Sequence, residues 1–327
     1  MRFFVNSHAM PSFAIAKSGI ISALIFLACT GKLHAQETGD DGGSKKYRDA
    51  KGFHAGLYIG SLFASKYSAA TYDGYGFDIN GNKNNFSNSL MYRRIVYDYG
   101  GGNNFPDQIA PAVGVVPGDW SFDSTDMPAL MKYTIAFQVG LDLKYYVDKK
   151  SAFVFNLNAS KLTAHGDFTI TKVNYNTSLT GGPQGPYVYD PFVIIGTEQR
   201  LIFQFGFQHI SHIKNEDHEK KLLNFFYEIG PDLVLAKYDK NQIDINGLRI
   251  DLNAYYTTPI PGFSAYRPKN LTGEGFGIWG GLGWDLNTGG KWSMQFLYSP
   301  SYDKINIGKD PKRTLQHGIG IRMYYDL

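Results

Sequence analysis

Between Tyr133 and Tyr145 the chain alternates without a slip. Tyr133, Ile135, Phe137, Val139, Leu141, Leu143 and Tyr145 fall on one face; Thr134, Ala136, Gln138, Gly140, Asp142 and Lys144 fall on the other. A period of two over that length predicts a strand with one face against an apolar medium and the other against a filled or wet interior. A soluble edge strand is rarely so long or so clean.

The same alternation recurs over Leu57 to Phe63, Phe153 to Ser160, Leu201 to Gln208, Leu223 to Leu235, Phe276 to Leu286, Trp292 to Ser299 and Leu315 to Leu327. Pro231, on the outward face, is the one awkward residue, because it removes a ladder donor. Eight strands are therefore predicted, and an even count returns the C-terminus to the side of the N-terminus. The joints at Val147 to Lys150, His212 to Lys220 and Asn287 to Lys291 are short. Those at Tyr67 to Leu130, Thr163 to Arg200, Lys237 to Gly275 and Pro300 to Arg313 are longer, and the two classes alternate strictly.

Short inner turns and long outer loops are the build of a transmembrane up-and-down antiparallel β-barrel, so the predicted class is all-β. Asn246-Gly247, between Gln242-Ile243-Asp244-Ile245 and Leu248-Arg249-Ile250-Asp251, predicts a two-residue hairpin that extends the sheet above the membrane. If Leu248 to Tyr256 spanned instead, a further strand near Leu90 to Tyr99 would restore parity. Ten strands is thus the second architecture.

After residue 35 no apolar run approaches the roughly twenty residues of a membrane helix. The aromatic content of 15% suits sheets with rings at an interface. Tyr145, Trp284, Trp292 and Tyr325 are predicted to face outward near the periplasmic ends of their strands, as a girdle.

Arg2, Lys17 and the apolar run Gly19 to Ala28, with no acid, predict a signal peptide over 1–35 ending Leu33-His34-Ala35; Met10 is an alternative start. Cys29 offers an acylation site as the competing reading, although Phe26 and Leu27 fit that pattern poorly. Residues 36–52 read as a polar, Gly-rich periplasmic leader and 53–327 as the barrel. Removing 1–35 takes away Arg2, Lys17 and Lys32, which brings the formal charge from +3 to zero and leaves nucleic-acid binding without electrostatic support. The exported chain would hold no cysteine and need no disulfide.

A signal ending Ala35-Gln36, long aromatic strands and the terminal Met323-Tyr324-Tyr325-Asp326-Leu327 resemble small outer-membrane barrels of the Bacteroidota, loosely the PorT-like type. The resemblance covers nearly the whole mature chain and rests on pattern. It implies the cell outer membrane as location, contact with its lipid and with the barrel-assembly machinery, and a partner in secretion or envelope assembly. Leu327 departs from the usual aromatic terminus, so recognition by that machinery would lean on Tyr325.

Gln208-His209-Ile210-Ser211-His212 resembles the His-x-Ser element of outer-membrane lipid A deacylases, in which His209 would activate Ser211. Polar residues ending a strand is the favoured reading, because the segment falls at the wrong leaflet. Asp78-Ile79-Asn80-Gly81-Asn82-Lys83-Asn84 spaces oxygen ligands like a calcium loop but lacks the twelfth-position glutamate, and Gly100-Gly101-Gly102 lacks the strand-to-helix context of a phosphate cradle. No metal or cofactor is predicted.

The predicted outer loops carry Tyr72, Tyr75, Tyr92, Tyr97, Tyr99, Phe105, Trp120, Phe122, Tyr187, Tyr189, Tyr255, Tyr256 and Tyr266, a recognition surface or a packing set on equal footing. Inward Asp142, Lys144, Glu228, Asp232, Asp285 and Arg322 form the strongest polar constellation. Eight strands enclose a lumen about wide enough for side chains alone, which favours an internal plug over a pore. The leading function is a non-catalytic barrel with partner-binding loops; a small pore or carrier comes second, and a lipid A deacylase-like enzyme third.

Overall fold

A computed structural model describes residues 52–78, 82–102, 105–148, 150–173, 187–211, 223–253, 272–287, 291–306 and 312–326. The predicted signal and leader lie outside these, Gly52 excepted, as do Tyr255, Tyr256 and Tyr266. Eight long strands carry the fold: β1 Gly52–Phe63, β2 Ala136–Tyr146, β3 Ser151–Val173, β4 Tyr187–Ser211, β5 Leu223–Ile245, β6 Thr272–Asn287, β7 Trp292–Ile305 and β8 Arg313–Asp326. Each pairs antiparallel with its sequence neighbours. β8 returns to β1, with Leu57 opposite Met323 and Phe63 opposite His317, so the sheet closes and no barrel edge is left open.

Closure sorts the side chains. Phe137, Phe153, Phe205, Ile229, Leu282 and Ile319 point out and are exposed, while the residues between them point in and are buried. So many exposed large apolar side chains would be untenable in water, and in a bilayer they are the contact surface. The band ends where the outward residue turns polar: at Lys161 on β3, Gln199 on β4, Lys237 on β5 and Glu274 on β6. A closed, eight-stranded barrel with an apolar belt is an outer-membrane architecture.

Strands β3, β4 and β5 continue past that line as a ridge, at 23, 25 and 23 residues against 12 for β1 and 11 for β2. The expected loops over Thr163 to Arg200 and Lys237 to Gly275 are therefore partly strand. Their alternation persists with its outside polar, as in Lys161, Thr163 and Asp167 against Leu162, Ala164, Phe168 and Ile170. Outside the lipid an apolar outer face is no longer needed. Asn246 and Gly247, at φ 50° and 93°, make the expected hairpin, and Leu248–Asp251 pairs back on β5. Leu90–Asp98 is helical. Eight strands, not ten, follow.

The segment between β1 and β2 folds back over the three long strands as a cap. Met91, Ile95, Ile109, Val113 and Phe122 pack on Phe168, Ile170, Phe192, Ile194, Ile243 and Ile250 in one buried cluster. Each large apolar side chain so buried stabilises by about 1.5–3 kcal/mol. The cap also covers an edge, since Trp120–Ser121 and Lys132–Tyr133 pair with β3 where β2 has ended. The hairpin strand Leu248–Asp251 covers the opposite edge on β5.

Tyr133 departs from its expected outward face. The register on β3 shifts by one residue between the Tyr133–Ala164 and Gln138–Ser160 pairs, and the extra residue turns Tyr133 inward. Pro231 also leaves its mark, because the β4–β5 ladder is interrupted at Phe205-Gly206 and Gly230-Pro231. There the buried indole of Trp279 donates to the Phe205 carbonyl at 3.4 Å.

Candidate functional site: a filled lumen beneath a cap

The lower lumen is crossed by one polar network. Arg322 on β8 donates from Nη1 to both oxygens of Glu228 on β5, at 2.8 and 2.9 Å. Its Nε lies 3.4 Å from Asp142 Oδ2 on β2, close enough for charge attraction but outside hydrogen-bond geometry. Asn156 on β3 joins the two: with its amide oriented to satisfy both sides, Nδ2 donates to Asp142 Oδ1 at 2.7 Å and the oxygen accepts from Arg322 Nη2 at 2.9 Å.

From Glu228 the network runs on through Gln208 on β4, whose Nε2 donates to Glu228 at 3.2 Å and to Gln295 at 3.4 Å. Gln295 on β7 in turn donates to Asp285 on β6 at 2.8 Å. Lys144 holds its ammonium 3.8 Å from the centre of the Tyr324 ring. Tyr58 of β1 lies flat against Gly60 and Gly320, where a Cβ would collide with its ring. All eight strands thus contribute a side chain to this layer of the lumen. Asp232 lies higher, buried beside Gly277, apart from this set.

A second network lies under the cap. Glu198 accepts from Tyr72 at 3.0 Å, from Tyr133 at 2.6 Å and from Arg200, and Arg200 also donates to Gln316, which donates on to Asp303. Burial, aided by the Glu198 charge, pushes the Tyr72 and Tyr133 phenols well above their ordinary range, which keeps them as donors. Neither tyrosine was visible as a lumen residue in the sequence, because one sits in an irregular segment and the other behind a bulge.

Comparison with known proteins finds no matching family model and no matching curated protein. Among solved structures the chain is similar to Neisserial surface protein A, at 7% identity and TM-score 0.37, covering 85% of this chain and 98% of that one. It is similar to the outer membrane protein OprG of Pseudomonas aeruginosa, at 11% identity and TM-score 0.35, covering 85% and 97%. The translocator domain of the autotransporter NalP from Neisseria meningitidis matches at 10% identity and TM-score 0.24, over 96% and 98%. Likenesses this distant assign neither partner nor activity.

The remaining predicted residues are placed as follows. His209 and Ser211 both lie on the outward face of β4, at its periplasmic end, and the hydrogen bond of the His209 ring is to Ser151 at 3.3 Å rather than to Ser211. Trp284 and Trp292 are exposed on the outside, Tyr145 packs on Phe53, and Tyr325 is half-covered by Trp292 at 5.0 Å. Of the loop aromatics, Tyr72 and Phe122 are core residues and Tyr75, Tyr92, Tyr99 and Trp120 pack against them, whereas Phe105 is exposed. Asp78 closes its own turn by accepting from the backbone and side-chain nitrogens of Asn82, and among the described residues no cluster could hold a metal.

Proposed function

We propose that this chain is a non-catalytic outer-membrane barrel that works as a rigid mount, with its lumen closed and its outer cap and ridge presenting a partner-binding surface in secretion or envelope assembly. The observation that carries this is the continuous network from Asp142 to Asp285, which occupies the lumen at one level, under a cap that has its own apolar core. A conduit would need that cross-section to open. A deacylase reading lacks support, since the hydrogen bond of His209 leads away from Ser211.

Two measurements test the proposal. In planar bilayers the full-length barrel should carry no steady conductance. A photo-crosslinker at exposed Val193, on the outer face of the ridge, should capture a discrete envelope protein in cells, while one at lipid-facing Leu282 should not. Steady conductance, or identical products at both positions, would turn the reading toward a pore or carrier.

A further inference from the structure

Where β7, β8 and the end of β1 reach the outer rim, four cations stand together on the outside: Lys66, Lys304, Lys312 and Arg313, all exposed. Lys304 is directly opposite Arg313 in the β7–β8 register. The ammonium groups of Lys66 and Lys312 lie 5.8 and 5.9 Å from the centre of the exposed Tyr67 ring. Among the described residues none of the four has a carboxylate partner. Immediately below, on the same strands, the outward residues are apolar and exposed: Phe63 on β1, Tyr302 on β7 and Leu315 on β8.

Among the described residues the one exposed carboxylate beside them in register is Glu274 on β6, a diagonal step from Lys304, so the four keep an excess of like charge that repels and is a cost unless a further anion lies among them. The apolar strip beneath says what kind. A free phosphate would use the cations and leave the strip unexplained, whereas an acyl-chain lipid with a phosphorylated headgroup meets both at the depth where headgroups lie. On the opposite wall Asp239 stands between Lys237 and Lys240, which makes that rim mixed rather than cationic.

We propose that this patch is a binding site for a phosphorylated glycolipid of the outer leaflet, of the lipid A type, with its phosphates among Lys66, Lys304, Lys312 and Arg313 and its acyl chains along Tyr302 and Leu315. The site is independent of what the cap binds. It would make the barrel sit in one rotational setting among its lipids, with the same wall always lipid-clamped.

The test uses the full-length protein in phosphatidylcholine nanodiscs, titrated with bisphosphorylated lipid A, its dephosphorylated form and inorganic phosphate, with native mass spectrometry counting retained lipid. The triple variant Lys304→Gln, Lys312→Gln, Arg313→Gln should weaken retention at least tenfold, since each Lys or Arg near an anionic surface accounts for roughly fivefold. The control Lys237→Gln, Lys240→Gln should retain lipid A like the wild type. Unchanged thermal midpoints keep misfolding out of the comparison, and Arg313→Lys should bind nearly normally. Equal retention by triple variant and control, equal binding of the dephosphorylated lipid, displacement by millimolar phosphate, or no retention by the wild type would each overturn the proposal.

Discussion

The Nη1 atom of Arg322 stands 2.8 and 2.9 Å from the two carboxylate oxygens of Glu228, three strands away around the barrel. Both side chains are buried, so each charge depends on the other for most of its solvation. Arg322→Met would strand Glu228 and Asp142 together, at a cost of about 3–5 kcal/mol. Adding Glu228→Gln should recover part of that loss, because the orphaned charge goes with its partner. Urea unfolding in lipid vesicles measures both, and strictly additive losses would mean that the two residues are not coupled. If this layer closes the lumen as proposed, planar-bilayer current should rise in Arg322→Met.

On β3 the same outward face crosses from lipid to water. Leu157 lies in the apolar band, opposite Leu141 and Phe203, whereas Asp167 lies on the exposed ridge beyond Lys161. Leu157→Arg should destabilise the barrel by about 2–4 kcal/mol, and Asp167→Arg by less than 1 kcal/mol. Equal shifts in the urea midpoint would move the membrane boundary from where the polarity change puts it.

The ring of Tyr72 occupies the space that a side chain at Gly196 would need, with its Cδ1 and Cγ where a Cβ would sit. Gly196→Val must expel that ring, and with it the hydroxyl that Glu198 accepts from. Hydrogen exchange should then accelerate across residues 66–113, while β1, β2 and β6 to β8 keep their protection. Tyr72→Phe removes the hydroxyl alone and should cost about 1.5–3 kcal/mol, the contribution of one hydrogen bond to a charged group, while Tyr133 and Arg200 still donate to Glu198. Loss of protection throughout the barrel in Gly196→Val would show that the cap is not a separable layer.

Much of the fold was legible because a lipid-facing strand obeys a rule that no loop obeys. Val139, Leu141 and Leu143 must all be apolar, and the residues between them need not be, so facing follows from parity. That rule stops at the membrane surface. Beyond Lys161 the alternation reverses its meaning, with polar residues outside and Leu162, Phe168 and Ile170 inside, and an expectation tuned to lipid reads it as loop. The inner charges were likewise open to parity, but their pairing was not, since Arg322 and Glu228 are 94 positions apart and only barrel closure brings them together. Nor could parity foresee the bulge that turns Tyr133 onto Glu198. The cap was the least legible part, because Met91, Ile95 and Ile109 carry no period of their own and gain one only against β3 to β5.

The cap should also answer to pH through Asp73. Its carboxyl is buried, and that burial pushes its pKa up, resisted by the paired ammonium of Lys83 and by the amide of Tyr75. A carboxyl whose folded pKa is raised binds its proton more tightly in the folded cap than in the unfolded chain. Its contribution is therefore most favourable below the unfolded value of about 4 and is lost as pH rises through the raised folded value. Asp73→Asn cannot ionise, so relative to the wild type it should gain stability as pH rises from about 4 through the raised folded value. Other carboxylates titrate over the same range in both proteins, and the difference between them isolates Asp73. A fluorophore on Phe105→Cys, at an exposed cap position, reports cap unfolding in urea. A wild-type-minus-variant difference that stays flat with pH, or runs the other way, would mean that Lys83 outweighs burial at this site.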